Sequence, residues 1–539
     1  MKTLDNVLGF IQRALRTDFS AVMVVDQGNL DGAAFDVAII GAGINGSSAA
    51  QHLASLGYTV LLVDKGDYGS GSSSRSTRML HCGLRYLAPG ASVWEFVKHP
   101  TRFVTAMRMA RNAMQNRAQF VETTPERVIP ADWFYPIFSD GTYARWQVAA
   151  AFNLLSKLGP GSTPLGYELI SAEEAKAIPF VKWVRNGSNV TGVARYREYV
   201  YNWPERICVD ATLAAEKAGA IVRNYTKVTK LHRLQEGGWA LSLLDETSAQ
   251  QAVVNASIVL NTAGIWIDDV NAHSEGAQRP GRKITGTKGV HIMLTLPPEC
   301  AGKGITLINR TNQPISLTPW KGGHFFGPTE TLYEGDIDDI KPLEEEIDWL
   351  VDELNFLLPG LRKFTRDDVS YAWAGVRPLT YDAALPNGSR SRLIHDLGAE
   401  GMPDVYALTG GPIMTHRSAG QDLAAVVQGR IPLSRPAQPL SFTPPRFPDN
   451  QNSEPVLVTP TDVSLADLRY AATHEHVTSL IDLLFRRVGL GWTPEMALPG
   501  LRKATEAVAD ILGWDAQRVD REIEAYRKYV RENHRVRIS

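Results

Sequence analysis

The stretch from Phe35 to Asp64 reads FDVAIIGAGINGSSAAQHLASLGYTVLLVD. Its apolar run Val37-Ala38-Ile39-Ile40 predicts a buried strand that breaks at Gly41-Ala42-Gly43-Ile44-Asn45-Gly46 into a helix. Gly57 stops that helix, and Val60-Leu61-Leu62-Val63 forms a second buried strand ending in an acid, Asp64. This strand–turn–helix–strand context is what a dinucleotide fingerprint requires. Gly41 permits the tight turn, Gly43 lets backbone approach a pyrophosphate, and Gly46 lets helix and strand pack closely. The helix N-terminus offers unpaired N–H groups to phosphate, and Asp64 can accept hydrogen bonds from a ribose. By itself the turn does not distinguish NAD from FAD.

A chain of 539 residues is too long for one core and predicts two or three domains. The formal net charge of -2 argues against a nucleic-acid partner and for small-molecule chemistry. Cys82, Cys208 and Cys300 are scattered, suit a reducing compartment and show no metal-ligand spacing, so no metal is expected. No apolar run approaches the ~18–20 residues that span a bilayer. Leu4, Val7, Leu8, Ile11 and Leu15 fall at helical spacing among Lys2, Arg13 and Arg16. This amphipathic segment reads first as an extension packed on its own domain, with a membrane-surface anchor as the alternative. The expected location is cytoplasmic, with peripheral attachment at the inner face of the membrane left open.

Beyond Asp64 a glycine- and serine-dense loop, Gly66 to Ser74, leads into Arg75-Ser76-Thr77-Arg78-Met79-Leu80-His81-Cys82-Gly83-Leu84-Arg85-Tyr86. Such small residues let a loop lie flat on a planar or phosphorylated ligand. Residues 95–119 read as a basic helix, and aromatic and apolar residues from Trp133 to Leu158 as helices bordering a pocket, with Trp146 and Phe152 in the core. Ser171-Ala172-Glu173-Glu174 is a capping box. The alternation from Gly192 to Trp203 predicts a strand of a mixed sheet. Another buried strand, Ala256 to Thr262, ends at Ala263-Gly264 and would bring a second backbone contact to the cofactor. Tyr371 to Leu379 reads as a strand delivering Arg377, and Val405 to Gly411 as a third strand–glycine–helix junction.

The resulting division has an N-terminal extension over 1–34 and a discontinuous nucleotide domain over 35–95, 190–285 and 365–430. A substrate or cap domain takes 96–189 and 286–364, a proline-rich linker 431–461, and a separate helical domain 462–539.

GAGING followed by STRMLHCGLRYL, then GVRPL, then GGPIMTHR, resembles the FAD-dependent glycerol-3-phosphate dehydrogenases of the D-amino-acid-oxidase-like flavoprotein superfamily. THEHVTSLIDLLFRRVGLGW resembles that family's helical tail, so the likeness runs from Asp36 to the C-terminus. The resemblance implies an α/β fold: a Rossmann-like FAD-binding domain, an interleaved mixed-sheet substrate domain and a C-terminal helical domain. It implies FAD held by Gly41, Gly43, Asn45, Gly46 and Asp64, with Ser73, Ser74 and Thr77 near the pyrophosphate or flavin, and Gly411 beside the isoalloxazine. His291 in KGVHIML matches the proposed base. Arg377 and Arg392 match arginines on the substrate, Arg85 and Tyr86 a further pair, and Thr415 and His416 fall in the same site.

Four departures mark a divergent member. Pro412 stands for a lysine at the substrate phosphate, His416 for a tyrosine, Cys82 for a glycine, and NTAGIW for NATGPW. His416, Arg78 and Lys288 are the candidates to restore the lost cation. The implied activity is oxidation of a polyol phosphate, foremost sn-glycerol 3-phosphate to dihydroxyacetone phosphate, by hydride transfer to flavin with electrons passed to quinone. A longer sugar-alcohol phosphate, an amine or amino-acid oxidase, and a flavin-binding protein with a decayed substrate site are the alternatives. The expected partners are the polyol phosphate, a quinone, a membrane surface and a second copy in a homodimer.

Overall fold

A computed structural model of the chain describes residues 30–87, 98, 100–275, 280–444, 454–457 and 463–536. The amphipathic N-terminal segment and parts of the linker lie outside these residues.

The strand Ala34–Ile40 pairs in parallel with Val60–Val63 on one side and Gln251–Asn261 on the other. Both of its faces are covered, as a parallel strand requires, and Val37, Ala38 and Ile39 are fully buried. Between the two N-terminal strands runs the helix Ile44–Leu56, ended by Gly57 in the left-handed region at φ +102°. Small residues on this helix let its neighbours close in: a Cβ on Gly420 of the helix His416–Gln428 would lie 2.6 Å from Ser48 Oγ. Val405–Thr409 extends the parallel set beside Gln251–Asn261, and the hairpin Thr226–Arg233 with Trp239–Asp245 adds antiparallel strands.

The second sheet is built from long antiparallel pairs, Val128–Phe138 with Val190–Tyr201 and Ile284–Leu294 with Val369–Asp382. Val190–Tyr201 and Val369–Asp382 lie within the expected nucleotide segments by sequence, yet they pair here. The expected helix around Trp133 is instead this strand, because Val128–Phe138 finds a full-length partner; only Arg145–Leu158 is helical. That helix buries Val148, Phe152 and Leu155 at helical spacing and leaves Trp146 on the opposite side, 65% exposed rather than in the core.

C-terminal helices Leu465–His474, Leu501–Leu512 and Ala516–His534 share one apolar cluster with the second sheet, in which Trp320 and Trp373 meet Phe485 and Trp492. Residues 431–444 of the linker run along the first helix, where Gln438 N donates to Ser55 O and Arg435 to Tyr58 O. No helix among the described residues is long and apolar enough to cross a membrane.

Candidate active site

The carboxyl ends of the parallel strands open into a cavity of about 1750 Å³ whose opposite wall is the second sheet. Single-ligand pockets usually occupy ~300–1,000 Å³, so this one has room for a dinucleotide and a second molecule.

At the first strand end the glycines are obligatory. Gly41 sits at φ +102°, and a Cβ there would lie 2.8 Å from Ala263 Cα. A Cβ on Gly46 would stand 1.9 Å from Gly41 O and 2.5 Å from Thr262 Oγ1. Gly46→Ala is therefore expected to force helix and strand apart and yield protein with less than a tenth of the wild-type flavin content, read from the absorbance of the purified protein. A fully yellow variant would refute this use of the turn.

Asp64 accepts hydrogen bonds from Ala42 N at 2.7 Å and Gly66 N at 2.9 Å, so its first task is to hold the glycine turn. Burial raises its carboxyl to about 6. Ile44 N, at the start of the helix, donates to Ser73 Oγ at 3.0 Å, which brings the serine loop over the phosphate end. Gly43, Asn45, Thr77, Gly264 and Gly411 all line the cavity; Ser74 does not, its hydroxyl closing back on Gly71 O. This cradle, too tight for side chains and rich in backbone N–H, fits the dinucleotide.

The opposite wall is cationic. Arg377, on the strand Val369–Asp382, lines the cavity with Arg85 and Arg390. Burial and the nearby guanidiniums of Arg390 and Arg85 bring Arg377 down to about 10, and its Nη1 has no protein partner. Gly289 on the adjoining strand makes room for it: a Cβ there would lie 2.8 Å from Arg377 Nη2. Glu330 is the counter-charge, 2.5 Å from Arg390. His81 joins the group, in edge contact with Tyr86 at 5.6 Å, and burial, Arg85 and Arg390 depress it to about 3. Mutually repelling cations around one carboxylate form a site that gains by taking up an anion.

His291 faces the same space from the strand Ile284–Leu294. Its ring stacks on Trp373 at 4.9 Å and meets the edge of Phe325 at 5.5 Å, while neither ring nitrogen has a protein partner. Burial, then Arg377 and Arg78, hold its pKa well below the ordinary histidine value. The imidazole is neutral, with a lone pair available to a hydroxyl donor.

Three expected substrate residues do not reach the cavity. Arg392 donates to Thr415 O and Ser418 Oγ and pairs with Asp422. Thr415 Oγ1 is turned to Pro412 O, and His416 is buried with Nδ1 against Ile413 O. The arginine that reaches the cavity from this loop is Arg390, two residues earlier in Ser389-Arg390-Ser391-Arg392. Both arginines lie in the connection between strands Leu385–Ser389 and Leu393–Asp396, so strand alternation could not choose between them. Nor do the three candidate replacements supply a free cation beside Pro412. Lys288 pairs with Glu346 at 2.7 Å, Arg78 with Glu205 at 3.2 Å, and His416 is pushed down to about 3 by burial and Arg417. The guanidiniums that line this wall of the cavity are those of Arg85, Arg377 and Arg390, the last of them paired with Glu330.

Residues 36–426 match the model of the FAD dependent oxidoreductase family, and residues 447–519 that of the C-terminal domain of alpha-glycerophosphate oxidase. The chain is 28% identical to a glycerol-3-phosphate dehydrogenase of Synechocystis over 93% of this chain and 97% of that protein. It is 27% identical to an aerobic glycerol-3-phosphate dehydrogenase of Staphylococcus aureus over 75% of this chain and 68% of that one. The fold superposes on the FAD-complexed glycerol-3-phosphate dehydrogenase of Bacillus halodurans with a TM-score of 0.68 at 18% identity, covering 94% of this chain and 96% of that one. With the L-alpha-glycerophosphate oxidase of Mycoplasma pneumoniae the TM-score is 0.56 at 16% identity, covering 75% and 97%. The glycine cradle, the serine loop above it and the match over most of the chain together place this protein in the FAD dependent oxidoreductase family, with FAD as the dinucleotide of its glycine turn.

Proposed function

We propose that the protein oxidises the secondary alcohol of a small polyol phosphate, foremost sn-glycerol 3-phosphate, to the ketone. The observation that carries the reading is the pairing of an anion site with an unprotonated base on one cavity wall, opposite the FAD cradle. Arg377 has an open donor for a phosphate oxygen, and Arg85 and Arg390 add charge in the planar form that suits phosphate. His291 accepts the hydroxyl proton as the carbon is oxidised. Bound flavin supplies the hydride acceptor.

Substrate and base are coupled. The charge of Arg377 helps to depress the imidazole, so a phosphate dianion seated on the guanidinium offsets that field and makes His291 a better base when the substrate is in place. Trp373 and Phe325 fix the ring and keep water from it. Similarity to proteins named glycerol-3-phosphate dehydrogenase along nearly the whole chain supports the same substrate. Electrons are proposed to leave to a quinone; Tyr135, Ile137, Val148 and Ala151 give the cavity an apolar flank that suits such an acceptor.

The test is anaerobic mixing of the yellow protein with glycerol 3-phosphate, tetritol and pentitol phosphates, the free alcohols, and amino acids. Fastest bleaching by glycerol 3-phosphate is expected. Bleaching by amino acids and by none of the phosphates would make it an amino-acid oxidase instead. Reoxidation by a short-chain quinone faster than by oxygen tests the acceptor.

A further inference from the structure

The serine loop that covers the FAD cradle is held at both ends from the far end of the chain. At its start Asp67, 1% exposed, receives Arg487 through two bonds of 2.7 Å and Arg486 Nε at 2.5 Å. Asn224 Nδ2 takes a further position on Asp67 at 3.0 Å, and Arg486 also pairs with Asp482 at 2.5 Å. Burial alone would raise the Asp67 carboxyl, but Arg487 and Arg486 outweigh it and hold the group ionised. From Asp67 the loop turns tightly: Ser70 N donates to Asp67 O, and Gly69 N to Ala42 O of the glycine turn itself.

At the loop's other end Arg78 is fully buried, its guanidinium 4.2 Å from the Trp492 ring and 4.3 Å from that of Trp320. Its Nη2 donates to Ser74 O at 2.8 Å, and its partner Glu205 accepts from Trp492 Nε1. The loop's grips therefore include Arg486, Arg487 and Trp492, all from the C-terminal helical region. Arg486 itself lines the cavity, as do Ser479, Ile481 and Tyr529.

We propose that the segment 475–492 is part of the FAD-holding apparatus: Arg487 and Arg486, by gripping Asp67, position the loop 66–78 over the cofactor, so FAD retention and docking of the C-terminal segment are one coupled equilibrium. Coupling of this kind is reciprocal. Loss of the grip loosens FAD, and loss of FAD loosens the segment. Arg487 and Asp67 are positioning residues: they act through the loop that they hold.

The test is the rate of FAD release from the full-length holoenzyme, followed by the rise in flavin fluorescence on dilution. Arg487→Met is expected to release FAD at least tenfold faster than wild type, with Arg487→Lys in between. Arg469→Met, which loses an exposed pair with Asp510 elsewhere in the same helical region, is expected to release at the wild-type rate. A folded Arg487→Met protein with a lowered melting temperature and wild-type release would mean a purely structural ion pair and overturn the proposal. Equal acceleration in Arg469→Met would overturn it too. Asp67→Asn serves if Arg487→Met does not fold. Hydrogen exchange on the unaltered chain gives an independent reading: amides of 475–492 should exchange at least several-fold faster after FAD is stripped, and identical exchange in both forms would sink the coupling.

Discussion

His291→Ala is expected to purify yellow, with FAD bound as in wild type, and to lose flavin reduction by glycerol 3-phosphate by about 10²–10⁴-fold, the range that a positioned general base contributes. His291 stands on a strand of the second sheet, whereas the glycine cradle follows a strand of the first, so its removal is expected to leave the cradle intact. Its two ring nitrogens have no protein partner to leave unsatisfied, so no buried polar group is orphaned by the change. Stability loss should come mainly from the stacking against Trp373 and the space vacated, about 1–3 kcal/mol. His291→Gln, which refills part of that space without a comparable base, should recover the stability and not the rate. Anaerobic stopped-flow at saturating substrate separates the two effects. Near-normal reduction in both variants would remove His291 from the chemistry.

Arg377→Met should keep FAD and cost about 2–4 kcal/mol in the transition state for phosphate substrates, roughly 30- to 1,000-fold in kcat/KM. The methionine covers much of the stem, while the unpaired Nη1 that awaits an anion is gone. Arg390→Met should fall in the same direction, because Arg390 shares the cavity wall and the Glu330 counter-charge. Arg392→Met should stay within about threefold of wild type in kcat/KM, since its guanidinium is spent on Asp422, Ser418 and Thr415. The contrast between 390 and 392 is the sharper measurement. An Arg392 variant as impaired as Arg377→Met would mean that the loop rearranges when substrate binds. A signature of phosphate recognition is that the deficit in Arg377→Met shrinks for the free alcohol, which has no group to meet the guanidinium.

The replacement of a lysine by Pro412 looks from sequence like the loss of the phosphate site. In the fold Arg85, Arg377 and Arg390 line the same cavity as Pro412 and Ile413, so the cavity remains cationic without the lysine. Glu198 holds the turn next to these residues. Buried under Cys82, it accepts Cys82 N–H at 3.1 Å, and burial raises it to about 7. The turn that carries His81, Arg85 and Tyr86 thus hangs from a carboxyl that a reading of the motif did not single out.

Legibility followed the range of the interactions. The strand–glycine–helix unit at 35–64 could be read residue by residue because its constraints are local: positive φ at Gly41, a 1.9 Å clash awaiting any Cβ at Gly46, and strands too apolar to lie anywhere but inside. The same holds for the capping box at Ser171, where Ser171 Oγ accepts from Glu174 N and Glu174 reaches back to Ser171 N. The family motifs brought His291, Arg377, Arg85 and Tyr86 to one pocket, and these do line it. Tertiary structure alone decided the rest. Whether Arg390 or Arg392 faces the cavity depends on which one finds Asp422, a residue on a helix thirty positions away. Whether Val128–Phe138 becomes strand or helix depends on the partner Val190–Tyr201. That the C-terminal region grips the flavin loop rests on Asp67 meeting Arg487 across 420 residues of chain. A charge in sequence has no partner until the fold supplies one, and the partner determines whether it serves the ligand or the framework.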